Sequence, residues 1–303
     1  MSKKLTFVFV IVFAIMAFSS ISSISYAEEV NYTFDTLWEL KDSEAVSNPE
    51  SVFYDSELDC LWVTNTGDGS GETLTGFISK LSTDGSVIDT KFSAEDLKGP
   101  RGSYVYGGYF YTAEVDALVK MDRETGEVTR YPAQSDGPQQ LNDIVAAPDG
   151  TIYVSDLLGN KIWGFDGSEM TIWLESEDLT WPNGLRIEDG VMYVSPWGLG
   201  DDTWATDTLS HMLAIDMGTQ EISSVGDGVQ HGYMDGLVRM DYQHFIVTNW
   251  WDGKVIIIDS TTTEPLAELT LEQSTGDIFY RAEENILYVP IGNSNALTAI
   301  RVY

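Results

Sequence analysis

Asn142-Asp143-Ile144-Val145-Ala146-Ala147-Pro148-Asp149-Gly150-Thr151-Ile152-Tyr153-Val154-Ser155-Asp156-Leu157-Leu158-Gly159-Asn160-Lys161-Ile162-Trp163-Gly164-Phe165-Asp166 is the stretch that decides the fold. It holds three short runs rich in β-branched and aromatic residues, parted by Pro148-Asp149-Gly150 and Gly159-Asn160, which are turn signals. No run has the length or the 3.6-residue spacing of a helix. The stretch therefore reads as an antiparallel meander, and its neighbours on both sides repeat it.

The middle run recurs at residues 60–65, 109–114, 191–196, 244–249 and 286–291. The third recurs at 76–82, 117–123, 211–217, 254–260 and 296–303, and four of these third runs end at or beside an acid: Asp122, Asp166, Asp216 and Asp259. The opening segment recurs as Glu50-Ser51-Val52, Arg101-Gly102-Ser103, Asn142-Asp143-Ile144, Asn183-Gly184-Leu185, Asp235-Gly236-Leu237 and Gly276-Asp277-Ile278. Successive separations are 51, 41, 41, 52 and 41 residues, and the two long intervals carry insertions at 66–75 and 198–210. A period of about 41 is the length of one propeller blade. The last unit has three strands, while an orphan strand at 32–40 precedes the first; pairing the two closes a ring and covers an edge that otherwise invites aggregation. The expected fold is all-β, a six-bladed β-propeller closed by an N-terminal strand, with residues 28–303 as one domain.

Composition narrows the function. The 303 residues include 48 acidic and 16 basic side chains, a formal net charge of -32. Such an excess repels nucleic acid and anionic lipid headgroups, so neither nucleic acid nor membrane is an expected partner. One cysteine, Cys60, permits no internal disulfide, cysteine-rich zinc site or iron–sulfur cluster. At the start of the chain Lys3 and Lys4, an apolar run over 5–18 and Ser25-Tyr26-Ala27 form the pattern of a cleaved export signal over residues 1–27. The apolar run is too short to cross a bilayer. The expected product is a soluble, exported monomer, periplasmic or secreted.

In a propeller the innermost strands converge on a central tunnel, where this repeat puts Glu50, Arg101, Asn142, Asn183, Asp235 and Gly276 in one ring. Idle polar groups are costly in such a place. One reading is a polar tunnel held by a Glu50–Arg101–Asp235 ion network with water. The other uses the two carboxylates and two amide carbonyls as oxygen ligands, the donor set of a hard cation such as calcium and not of zinc or copper. Arg101 has two roles open to it: compensating Glu50 or Asp235, or holding a substrate carboxylate or phosphate bidentately.

Four spaced motifs, Asn48-Pro49-Glu50, Leu141-Asn142-Asp143, Pro182-Asn183-Gly184-Leu185 and Met234-Asp235-Gly236-Leu237, resemble those of the senescence marker protein, gluconolactonase and luciferin-regenerating-enzyme family. The resemblance spans residues 28–303. It implies a six-bladed propeller with a tunnel-bound divalent metal and, in several members, hydrolysis of sugar lactones. Carried over residue by residue, it makes Glu50, Asn183 and Asp235 metal ligands, with Asn142 a ligand or a holder of metal-bound water and substrate. The chain departs from the pattern at Ser51-Val52, where many members have Gly-Pro. It departs again at Gln140, where lactone-active members commonly carry an arginine, which speaks against a sugar-acid lactone as the substrate.

The resulting expectation is a calcium-type hydrolase of cyclic esters acting on a small, in part anionic, molecule. Asp235 and Asn142 are the expected catalytic residues, and Arg101, Gln140 and His231 the expected substrate contacts, His231 as a proton shuttle four residues before Asp235. Trp181, Trp197, Trp204, Trp250 and Trp251 are read two ways, as strand packing or as the lining of a carbohydrate or aromatic pocket. No Gly-x-Ser-x-Gly elbow or His-Glu-x-x-His pair supports a serine hydrolase or zincin. A non-catalytic ligand- or protein-binding propeller, its polar tunnel free of metal, is the alternative.

Overall fold

A computed structural model describes residues 32–69, 73–200 and 203–303. The expected export signal lies outside the described residues. Six four-stranded antiparallel sheets follow one another along the chain, one per repeat. The third, from the stretch quoted above, runs Leu141–Ala146, Ile152–Asp156, Lys161–Phe165 and Met170–Glu175 from axis to rim. Apart from two single 3-10 turns, Glu177–Leu179 and Gly292–Ser294, regular structure among the described residues is all strand. No helix among them is long and apolar enough to cross a membrane.

Closure follows the expected route. Phe34–Lys41 pairs antiparallel with Ala296–Val302 as the outermost strand of the sixth blade, with Leu40 opposite Leu297 and Phe34 opposite Val302. Thr33 and Tyr303 exchange two backbone hydrogen bonds at the end of this seam, at 3.0 and 3.2 Å. The insertion at 198–210 forms its own small hairpin, Leu199–Gly200 with Thr206–Thr208, at the fourth blade.

Six apolar clusters hold the ring, and each lies between neighbouring blades. Cys60, Trp62 and Ile78 of the first blade, for instance, pack on Phe110, Val119 and Met121 of the second, while Val255 and Ile257 of the fifth pack on Leu287 and Val289 of the sixth. Inner strands buried on both faces explain near-continuous apolar runs such as Lys254–Asp259. The recurring acids at the ends of the third strands shape the turns that follow. Asp122, Asp166, Asp216 and Asp259 each accept backbone N–H groups two and three residues on, the Asx geometry that short acidic side chains favour.

Candidate functional site

The residues that open the repeats are aimed at the axis by backbone irregularity. In four blades the pairing of the innermost strand with its neighbour slips at the repeat's first residue: between Pro49 and Ser51, Leu141 and Ile144, Pro182 and Gly184, and Met234 and Leu237. A bulge re-aims the side chain it carries, here Glu50, Asn142, Asn183 and Asp235. Two positions earlier the backbone turns into the left-handed region in five blades, at Asn48, Gly99, Trp181, Tyr233 and Ser274. Gly276 has its own cause, because a Cβ there would sit 2.2 Å from the Glu50 carbonyl oxygen of the adjoining blade.

Polar contacts join every pair of neighbouring blades at the axis. Asp277 N–H donates to the Glu50 carbonyl at 2.8 Å, and the Ser51 and Ser103 hydroxyls meet at 2.7 Å. Gly102 N–H donates to the Asn142 carbonyl at 3.1 Å, and Leu185 N–H to Asp143 Oδ2 at 2.6 Å. Asn183 Nδ2 donates to the Met234 carbonyl at 3.1 Å, Ser195 Oγ to that of Asp235 at 2.8 Å, and Thr248 Oγ1 to that of Gly276 at 3.0 Å.

Above this girdle opens a pocket of 430 Å³. Its lining includes the polar residues Glu50, Arg101, Gln140, Asn142 and Asp235 and the rings of Trp197, Trp204, Trp250 and Trp251. Five of the six predicted ring residues thus line one pocket. Asn183 is not among its lining residues and is fully buried, its side chain hydrogen-bonded to Asp235. Gln140 and Arg101 stand where the sequence put them. His231 does not line the pocket: its buried ring bonds the Thr263 carbonyl at 2.9 Å and its backbone pairs with Ser210, so the loop carrying it serves the packing of the fourth and fifth blades.

Electrostatics at the axis are unbalanced. Burial above all, then Asp235, pushes the Glu50 carboxyl well above the usual carboxylate range, against the pull of Arg101. Asp235 is pushed up likewise, by burial and then by Asp277. Burial lowers the Arg101 guanidinium in turn, opposed by Glu50 and Asp235. Arg101 donates to the Gly99 carbonyl at 3.0 Å and acts on both carboxylates through space, without a hydrogen bond to either.

One layer deeper lie two carboxyls that sequence reasoning missed, Asp143 and Asp277. Asp143 accepts the N–H groups of Ile144 and Leu185, and Asp277 accepts the Ser51 hydroxyl at 2.7 Å. Burial drives both upward, Asp277 to about 7. The signal was one residue away in the repeat, since position two of the opening segment reads Ser51, Gly102, Asp143, Gly184, Gly236 and Asp277. Four carboxyls so placed cannot all ionise against one guanidinium unless protons or a further cation balance them.

Two buried oxygens, Glu50 Oε2 and Asn183 Oδ1, have no hydrogen-bond partner. Leaving such groups idle costs about 1–3 kcal/mol apiece. With Asp235 and Asn142 beside them they make an all-oxygen donor set, which fits a hard divalent cation.

Fold and site together describe a six-bladed propeller with an acidic axial pocket walled by tryptophans. Solved structures of similar fold include a gluconolactonase from Xanthomonas campestris, with a TM-score of 0.64 and 15% identity over 88% of this chain and 89% of that one. A streptogramin B lyase has a TM-score of 0.62 and 12% identity, covering 90% and 98%. The virginiamycin B lyase of Staphylococcus aureus has a TM-score of 0.61 and 10% identity, covering 89% and 99%. No family model and no curated protein matches the chain. The chain thus shares the architecture of gluconolactonase-like propellers.

Proposed function

We propose that this protein is an exported, metal-dependent hydrolase of cyclic esters, with its site in the axial pocket. The observation that carries the reading is the pair of buried, unpartnered oxygens, Glu50 Oε2 and Asn183 Oδ1, beside Asp235. Fold likeness to a gluconolactonase supports the reaction class. Glu50, Asn183 and Asp235 would hold the divalent cation, calcium by preference, with Asn142 completing the set or holding water. Bound there, a dication supplies Lewis-acid polarisation of an ester carbonyl.

The chain's own residues do the rest. Asp235 lines the pocket and takes the proton of the attacking water as general base. Water adds to the carbonyl carbon, the ring C–O bond breaks, and the proton passes to the departing alkoxide oxygen. Gln140 and Asn142 orient the polar end of the substrate through their amides. Arg101, the one cation lining this pocket among the described residues, holds a carboxylate or phosphate on the substrate.

Calcium should raise the melting temperature of metal-free protein, because a ligand that binds only the native state stabilises it by mass action. Asp235→Ala should remove the shift. Identical melting curves with and without calcium would sink the metal site. They would favour a second reading, a metal-free binding propeller whose polar ring is structural, which the hydrogen bonds joining all six blades at the axis support.

A further inference from the structure

The aromatic side of the pocket is far more elaborate than strand packing requires. Six aromatic rings meet at one mouth. Trp197 touches Trp204 at 6.2 Å, Tyr233 at 5.4 Å and Trp250 at 5.7 Å between ring centres, while Tyr233 stacks on Trp251 at 5.2 Å. Trp204 is carried there by the inserted hairpin and rests edge-on against Trp181 at 5.7 Å. These contacts span the fourth and fifth blades and lie outside the six apolar clusters that hold the ring.

Backbone conformation gives independent support. Trp181, Trp204 and Tyr233 have φ of 62°, 66° and 52°. Bulky side chains avoid this region, which glycine or asparagine occupies at lower cost, and strain of this kind gathers at ligand sites. The turns are fixed by a relay of backbone bonds, from Trp197 N–H to the Trp181 carbonyl, Tyr233 to Trp197, Trp250 to Tyr233 and Ser274 to Trp250, at 2.8–2.9 Å. The indole N–H of Trp197 is spent inward on the Trp204 carbonyl at 3.2 Å, so that ring has no donor left for a hydroxylated ligand. The same pocket is lined by Arg101, Gln140 and Asn142. A pocket lined by both polar groups and flat apolar rings suits a ligand that carries a polar group and a flat apolar ring.

We propose that the wall of Trp197, Trp204, Trp250 and Trp251 is a subsite for an aromatic ring, and that the preferred substrates are lactones fused to or bearing such a ring, with the ester end toward Asp235. This rests on the reading of the axial pocket as the substrate site. Indole faces stack on a flat ring and exclude water from it, whereas a sugar would have to give up hydroxyl hydration along the wall.

Binding can be tested without turnover. The hydroxy acids left when phthalide and γ-butyrolactone open are 2-(hydroxymethyl)benzoate and 4-hydroxybutanoate; neither contains an ester, and they differ by the fused ring. Titration of the full protein, followed by tryptophan fluorescence and calorimetry, should show the aromatic acid bound at least about tenfold more tightly. Trp251→Leu and Trp204→Ala should each reduce that preference to below about threefold, and Trp204→Phe, which keeps a ring, should retain most of it. Equal affinities, absence of binding by both acids up to millimolar concentration, or a preference untouched in folded Trp204→Ala and Trp251→Leu proteins would overturn the subsite. Phthalide hydrolysis is measured separately: a protein that discriminates between the acids but does not open phthalide loses the hydrolase assignment and keeps the aromatic subsite.

Discussion

Asp55 accepts the indole N–H of Trp62 at 3.1 Å, and Asp156 that of Trp163 at 3.2 Å, each seven residues before its tryptophan. Their titration nevertheless runs in opposite directions. Burial raises both, but at Asp55 the bonds from Trp62 and from Arg123, the latter at 2.5 Å, outweigh it and hold the carboxyl below 3.8. At Asp156 the bonds from Gln140, Trp163 and Gly159 and the pull of Lys161 do not offset burial, and burial wins. For Asp55 the folded value lies below the unfolded one, so its contribution is complete above pH 3.8 and is lost as pH falls through the folded value. Asp156, raised, weakens the fold as pH climbs above 3.8. Asp55→Asn should cost about 1–3 kcal/mol in urea unfolding at pH 7. It should also flatten the loss of stability as pH falls below 3.8; equal acid losses in variant and parent would refute the pairing. Glu50, Asn142, Asn183 and Asp235 were legible because the repeat supplies their register. Asp143 and Asp277 were not, since an acid beside a turn is ordinarily a turn former and only the ring geometry shows it buried.

Bulges at the innermost strands leave backbone groups without ladder partners, and hydroxyls of the second strand take them up. Thr64 accepts Ser51 N–H at 2.8 Å, Ser155 accepts Asp143 N–H at 2.9 Å, and Thr248 accepts Gly236 N–H at 2.8 Å. Thr248 also donates to the next blade, at the Gly276 carbonyl. Thr248→Val keeps the shape but strands a donor and an acceptor, for a cost of about 2–4 kcal/mol. Thr248→Ser should recover most of it, and equal midpoints for valine and serine variants in denaturant would show the hydroxyl to be idle. Second strands were the clearest in the sequence, and Cys60–Asn65 and His244–Asn249 keep the bounds expected of them. Outer strands such as Val87–Asp89 and Ile222–Ser224 were invisible, being short, largely exposed and without an apolar face to set a period.

At the scale of the whole molecule, stability depends on one seam, because the sixth blade borrows Phe34–Lys41 from the other end of the chain. Removing residues 32–41 bares Ala296–Val302 as an unpaired edge along an otherwise covered ring. Such a protein should melt at a lower temperature and self-associate, as edges of this kind do; a monomer with the parent's melting temperature, by size exclusion and calorimetry, would show the seam to be dispensable. The orphan strand made this closure predictable, because three strands at one end and one at the other add up to a blade. The same seam joins the first described blade strand in chain order to the last. A chain cut short anywhere before Ala296 leaves its first strand with nothing to pair, however well the intervening blades have formed. Ring closure is thereby coupled to the sixth blade, because Phe34–Lys41 has its ladder partner only once Ala296–Val302 is present.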